Sequence, residues 1–274
     1  MKTEIKWSNS SLSLLQNCAE AFRRRYLERE YAPPSPKMVR GTAIHKTAAL
    51  THHRQLLRQP LPTREEVQDT AATEFSRTWR EGVQLTQEEI DTGIRAVRDA
   101  CKDFAVDVSA FHATDVAPAI HPVGVERRIT VQPKNSDLVI HGVIDLIDQT
   151  PTGEQIRDLK TGEKAPYTDA AERSQQLTMY SLIRLAEVGT LPERLMLDHL
   201  IRTPVKNEKK HVVQSTTRDA HDIAALVNRI NTAVAAVEKG LFIPADPTWW
   251  GCSRQYCAYY GTCKYVRRGD RPKT

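Results

Sequence analysis

The sequence predicts an α/β protein. A core sheet of about five strands is flanked by helices, a helical segment is inserted ahead of the sheet, and the two ends of the chain form a cysteine-rich module. Three observations carry this expectation. Apolar residues recur at helical spacing over roughly the first 110 positions, and residues 122–160 fall into short alternating runs separated by turn residues. Four of the five cysteines lie at the extremities: Cys18 near the start, and Cys252, Cys257 and Cys263 as C-x4-C-x5-C near the finish.

Ser10 and Ser11 are candidate caps for a helix from about Ser13 to Tyr31, with Leu14, Leu15, Cys18, Phe22, Tyr26 and Leu27 on its buried face. APPSPK ends that helix. A second begins near Lys37 and runs through Gly41 and His45 towards Arg58, where Pro60 and Pro62 stop it. Two more are expected over 63–81 and 86–110, the latter with Ile90, Ile94, Val97, Cys101 and Phe104 inward. The period then changes. Strands are expected at 122–132, 138–148 and 154–160, joined by Asn135-Ser136-Asp137 and Pro151-Thr152-Gly153 into an antiparallel meander. A helix over 172–188, strands at 194–202 and 210–216, and an amphipathic helix over 219–239 stopped by Gly240 complete the core. The division expected is 1–60 for the N-terminal helices, 61–118 for the helical insertion, 119–243 for the α/β core and 244–274 for the cysteine-rich module.

Composition narrows the functional classes. The chain has 274 residues, 40% hydrophobic and 27% charged, enough for a substantial core. No run of 18 apolar residues exists, so no membrane partner is expected. No apolar segment with a cleavage site opens the sequence, so the expected compartment is a reducing cytoplasm, where five cysteines point to metal binding, catalysis or burial rather than disulfides. The net charge of +5 is mildly basic. Arg23, Arg24 and Arg25, then Lys206, Lys209 and Lys210 at a hairpin tip, then Lys264, Arg267, Arg268, Arg271 and Lys273 make three basic patches. Singly each reads as a solvated face; together they favour a phosphate backbone. No Walker-type glycine loop is present, which excludes an ATP-driven helicase.

Asp145 and Asp158 fall on neighbouring strands, where two carboxylates can share one divalent ion. Lys160, two residues after Asp158, lies on the same strand face and can stabilise a phosphorane or orient water. The Leu159 carbonyl between them is a further oxygen donor. An isolated Asp-x-Lys reads as an exposed ion pair, so the surroundings matter. His45 follows the small-residue run G-T-A-I-H on a helix whose Gly41 would permit close packing. Glu126 lies on the preceding strand, and Gln176 and Tyr180 share one helix face.

The order GTAIH (41–45), Glu126, GVID (142–145), DLKTG (158–162) and QLTMY (176–180) resembles the RecB-like branch of the PD-(D/E)XK nuclease superfamily, over nearly the whole chain. The flanking cysteines and the entry helix SLSLLQNCAEAFRRRY are similar to its iron–sulfur members, which include the AddB nuclease domain, CRISPR adaptation nucleases and phage exonucleases. Two departures stand out: the first C-terminal cysteine gap is four rather than two, and Ala19 replaces the usual proline after the first cysteine.

The resemblance implies a restriction-endonuclease-like core with a mixed central sheet. It implies a metal-dependent DNA exonuclease acting on single strands or duplex ends, with recombination or CRISPR adaptation proteins as partners, in a bacterial or phage-infected host. His45, Asp145, Asp158 and the Leu159 carbonyl would ligate Mg²⁺ or Mn²⁺, and Lys160 would assist the water. Glu126 would hold a second metal or a water, and Gln176 and Tyr180 would support the site and the strand. Cys18, Cys252, Cys257 and Cys263 would bind a 4Fe–4S cluster, with Zn²⁺ as the alternative, shielded by Trp249, Trp250, Tyr256, Tyr259, Tyr260 and Tyr265. Cys101 is expected to pack as a small hydrophobe. The competing functional reading is a non-catalytic or weakly catalytic iron–sulfur nucleic-acid-binding partner of a helicase or recombinase. No particular oligomeric state is indicated.

Overall fold

The computed structural model describes residues 5–132 and 138–266, which form three layers, with a six-stranded mixed sheet between two sets of helices. The strands are β1 (Lys6–Trp7), β2 (Pro122–Val131), β3 (Val139–Thr150), β4 (Gly153–Gly162), β5 (Arg194–Arg202) and β6 (Lys209–Thr216). The expected meander is present, since β2 pairs antiparallel with β3 and β3 with β4. β4 and β5 are parallel, and β5 and β6 close an antiparallel hairpin. β1 was not expected; it is two residues long and pairs parallel with β3. A strand that short has no period to read. The Asn135-Ser136-Asp137 turn lies outside the described residues.

Helices α1 (Asn9–Asn17), α7 (Gln175–Val188) and α8 (Ala220–Glu238) cover one face of the sheet around Leu12, Ile144, Ile156, Leu177, Ile183 and Ile230. Helices α3 (Pro36–Leu56), α4 (Arg64–Arg80) and α6 (Ile94–Phe111) cover the other, around Ile44, Phe75, Phe104, Val108, Leu159 and Leu200. Two short helices, α2 (Ala19–Phe22) and α5 (Gln87–Thr92), complete the α-helices.

Three helical expectations are corrected. The entry helix does not run from Ser13 to Tyr31. It starts at the Ser8 cap, in a reciprocal box with Ser11, and breaks at Cys18, whose backbone is extended (φ −158°, ψ 98°). The break has a cause: the Ala19 N–H donates to the Ile243 carbonyl (3.0 Å), and the Ala245 N–H donates to Cys18 Sγ (3.4 Å). The C-terminal segment therefore takes up the Ala19 N–H, which a continuous helix would satisfy internally. The expected helix over 86–110 is two helices, because Gly93 adopts φ 102°, a conformation closed to ordinary side chains. With the face rotated there, Ile90 and Ile94 are exposed rather than inward. Gly41 is not a close-packing position, since a methyl group there would meet only Thr161 Oγ1 at 3.9 Å, an ordinary contact.

The architecture of β3 prepares the site. β2 occupies one of its edges, so β1 and β4 share the other. β1 pairs only with Val139 and Ile140, and β4 only from Leu146 to Thr150. Residues 141–145 face a gap where β4 has diverged. The inward–outward alternation also reverses there. Ile129 and Ile144 lie in the α7-side core, while Val125, four residues before Ile129, and Leu146, two residues after Ile144, lie in the α3-side core. The reversal falls at Glu126 and Asp145, and Glu126 takes φ 47°. A non-glycine residue there is strained, and such strain concentrates at functional positions.

Candidate active site

The gap beside β3 is filled by polar groups from three directions. From α3, His45 Nδ1 stands 3.3 Å from Asp145 Oδ2. From β4, the Leu159 N–H donates to the same oxygen (2.9 Å). From α7, the Tyr180 hydroxyl reaches the Val143 carbonyl (2.9 Å) and Asp158 Oδ1 (3.1 Å). The backbone groups released by the splayed strands are thus satisfied by site residues. Gly142 lets α7 come this close: a methyl group there would stand 2.7 Å from Ile183 Cδ1 and 3.7 Å from Tyr180 Cε1. That is the physical content of the glycine in GVID.

His45, Glu126 and Asp145 each offer a donor atom, and the three atoms lie within 4.8 Å of one another. This is the only such group of three among the described residues. Glu126 is half-buried and makes no hydrogen bond or ion pair with any described residue. Burial and the Asp145 charge hold its carboxyl above the ordinary range. Burial opposes charge on His45, but the hydrogen bond and charge of Asp145, helped by Asp158, outweigh it and raise its pKa. A strained, unpaired glutamate beside a second carboxylate and an imidazole is a donor set suited to a divalent cation. Asp158, expected to share the ion with Asp145, is not within this group. It is buried on the α7 side, where burial and the Asp145 charge raise its pKa against the opposing pull of Lys160.

Lys160 Nζ stands 2.5 Å from Asp158 Oδ2, but off the hydrogen-bonding direction, so that oxygen has a charge contact and no aligned donor. The lysine donates to Gln176 Oε1 (2.8 Å), and Gln176 Nε2 donates to the Tyr180 hydroxyl (2.7 Å). Because lysine only donates, the amide orientation of Gln176 is fixed, and the tyrosine proton is left for Val143 or Asp158. Burial and the charges of Asp158 and Asp145 keep Tyr180 protonated far above neutrality. The expected pairing of Asp158 with Lys160 on one strand face, and of Gln176 with Tyr180 on one helix face, is thus realised as one chain of contacts.

A buried polar set behind the site had no signal in the sequence. Arg157 joins Asp148 (3.1 Å) to Asp198 (3.1 Å), and His211 Nε2 approaches Asp198 Oδ1 at 2.8 Å. His52 and His112 face each other Nε2 to Nε2 at 3.3 Å. These residues come from six separate elements, and no local spacing links them. A cavity of about 30 Å³ runs from His45, Glu126 and Asp145 to His52, His112, Arg157 and Asp198, enough to hold ordered water.

The basic patches divide. Arg23 is engaged by Glu20 and Glu28, and Arg24 is buried against Glu30, Thr262 and the Tyr259 ring, so both are structural rather than free for phosphate. Arg267, Arg268, Arg271 and Lys273 lie outside the described residues.

The four terminal cysteines are not clustered, as no three of their sulfur atoms lie within 4.8 Å of one another. Tetrahedral zinc, with Zn–S near ~2.3 Å, would need them closer than that. They nevertheless share one region. Burial and then the Cys18 and Cys263 thiolates raise the pKa of Cys252, and burial followed by all three other thiolates raises that of Cys257. Of the aromatics expected to shield them, Tyr259 is buried, whereas Trp250 and Tyr256 are exposed and pack on each other.

A family model described as the PD-(D/E)XK nuclease superfamily matches residues 6–264. Among solved structures, the chain is similar to the "Putative exonuclease" from Eubacterium rectale, with a TM-score of 0.53 and 10% identity over 92% of this chain and 88% of that one. At that identity the likeness speaks for the fold. No curated protein matches the sequence.

Proposed function

The chain belongs to the PD-(D/E)XK nuclease superfamily, and from that premise we propose that it is a divalent-metal-dependent exonuclease that hydrolyses DNA at single-stranded or duplex ends. The observation that carries the reading is Glu126. A half-buried, strained carboxylate with no hydrogen-bond or ion-pair partner among the described residues, within 4.8 Å of His45 and Asp145 donors, is what a divalent cation would stabilise, beyond the weaker help of the His45, Arg128 and Lys46 charges. Bound there, Mg²⁺ or Mn²⁺ would polarise the scissile phosphate and lower the pKa of a coordinated water.

The residues of the chain do the rest. Asp145 Oδ2 is committed to His45 and the Leu159 N–H, which leaves Oδ1 for the ion. In an extended strand the N–H and C=O of one residue leave the same edge, so the Leu159 carbonyl faces the gap too. Asp158, held by Tyr180 outside that donor group, would serve in this reading as a third carboxylate near the ion. Lys160 supplies a positive charge for the developing phosphorane charge, and Gln176 and Tyr180 hold its ammonium in place. Intact Asp145, Asp158 and Lys160 favour this reading over a non-catalytic DNA-binding partner.

Incubation of 5′- and 3′-labelled single and double strands with Mg²⁺ or Mn²⁺ tests the proposal. Stepwise shortening is expected. Lys160→Ala is expected to abolish it while leaving DNA binding and the melting temperature intact, and undiminished cleavage by that variant would refute the site. We further infer that Cys18, Cys252, Cys257 and Cys263 hold an iron–sulfur cluster rather than zinc. No three of the sulfurs lie within 4.8 Å of one another, wider than a zinc site, and the reading rests on the nesting of one N-terminal and three C-terminal cysteines in the sequence. Anaerobically prepared protein is expected to be brown, with iron and sulfide; colourless protein with one zinc would overturn this.

A further inference from the structure

The β5–β6 hairpin is not used by the chemistry described above, yet it projects from the same end of the sheet. β4 and β5 are parallel, and Lys160 lies directly beside His199 in their register. The pairing ends at Gly162 and Ile201, after which β5 runs on through Arg202 into the tip, residues 203–208. Val205 is six residues beyond His199, so it reaches at most ~20 Å from the neighbour of the site lysine.

The tip is built rigidly. Arg202 pairs with Asp107 of α6 (3.1 Å) and fixes the base of the hairpin. The Thr203 N–H donates to the Glu208 carbonyl and the Asn207 N–H to the Thr203 carbonyl, both at 3.0 Å. Asn207 takes φ 49°, which its short polar side chain tolerates. On this frame stands Val205, 91% exposed. Lys206 adjoins it in the tip, Lys209 and Lys210 follow on β6, and the Glu208 carboxylate pairs with Lys210 (3.2 Å). Lys164, two residues past the end of β4, adds a further cation at the same end of the sheet.

We propose that this hairpin is a duplex-contacting ribbon that engages double-stranded DNA next to the strand end held at the active site. A two-stranded ribbon is of the width that the major groove, ~12 Å across, admits. Lys206 at the tip and Lys209 and Lys210 on β6 then meet the phosphates that line the groove, and Val205 meets the apolar base edges at its floor. The inference rests on the nuclease reading for DNA as its ligand, and it adds that the substrate is duplex adjoining a processed end.

The test is equilibrium binding, with metal chelated, of a labelled duplex and of its single strand, to the full chain and to two variants. Lys206→Ala/Lys209→Ala/Lys210→Ala should weaken duplex binding at least tenfold and flatten its salt dependence by about two to three in log–log slope. Single-strand binding should change less than twofold. Val205→Ser should weaken duplex binding about threefold with the salt slope unchanged. Equal losses on both ligands, or unchanged duplex binding, would overturn the proposal. Cleavage in Mn²⁺ separates the two readings. A chain that cuts no DNA while the variants show the selective duplex loss contradicts the nuclease assignment alone. A chain that cuts while its variants keep full duplex binding contradicts the ribbon alone.

Discussion

Glu126 combines two unfavourable features, a left-handed backbone and a charge facing Asp145 without a partner. Asparagine tolerates that backbone better and carries no charge. Glu126→Asn is therefore expected to stabilise the metal-free protein by up to about 1 kcal/mol, measured by urea unfolding, and to lack the Mn²⁺-induced rise in melting temperature expected of the parent. Parallel loss of stability would mean that the strain is not at this residue. Two pairings within the candidate site were legible in the sequence because strand and helix periods place them: Asp158 with Lys160, and Gln176 with Tyr180. The weight of Glu126 relative to Asp158 was not. It depends on the left-handed backbone at Glu126, opposite Asp145, where the alternation of two strands reverses with no shift in their register, and alternation read along one strand assumes that no reversal occurs.

At the scale of elements, α7 is seated on β3 through Gly142. Gly142→Ala forces its new methyl group against Ile183 Cδ1, in a side chain with no exposed surface in which to yield. A cost of about 1–3 kcal/mol is expected, together with reduced cleavage as Gln176 and Tyr180 shift. Ile183→Val removes the clashing carbon, at about 0.5–1.5 kcal/mol on its own. The double variant should be more stable than the sum of the two predicts, and strict additivity in a denaturant cycle would contradict the contact. Most helices and five of the six strands follow from periodicity and from their caps. The entry helix does not, because its break at Cys18 is imposed by residues 243–245, more than 220 positions away. Nor does the break at Gly93, where an apolar period continued across a glycine that ends one helix and begins the next.

Across the molecule, the sheet carries charge pairs that no single element contains. His52 Nδ1 faces Gln55 Oε1 (2.6 Å), so it bears the proton, and His112 must then donate from Nε2 to His52 Nε2. Burial and the neighbouring His52 push the His112 pKa down to about 3, and burial lowers that of His52. Histidines of the unfolded chain take up protons below about pH 6.5, which the native pair refuses. The stabilisation is therefore complete above that pH and is lost as pH falls towards 3. Urea midpoints at pH 7.5, 6 and 5 should decline, and His52→Gln/His112→Leu should flatten the decline; an unchanged slope would show that the pair does not titrate in this range. The terminal clasp acts at the same scale. Under the proposal of an iron–sulfur cluster, Cys18→Ser is expected to give colourless protein and to hasten proteolysis of the segment after Gly240, while the sheet and its site persist. The central claim remains the cation between His45, Glu126 and Asp145. Its most direct measurement is an anomalous-difference map from crystals soaked in Mn²⁺. A peak within coordination distance of all three side chains is predicted, and a map with no peak there, or with manganese elsewhere, would contradict it.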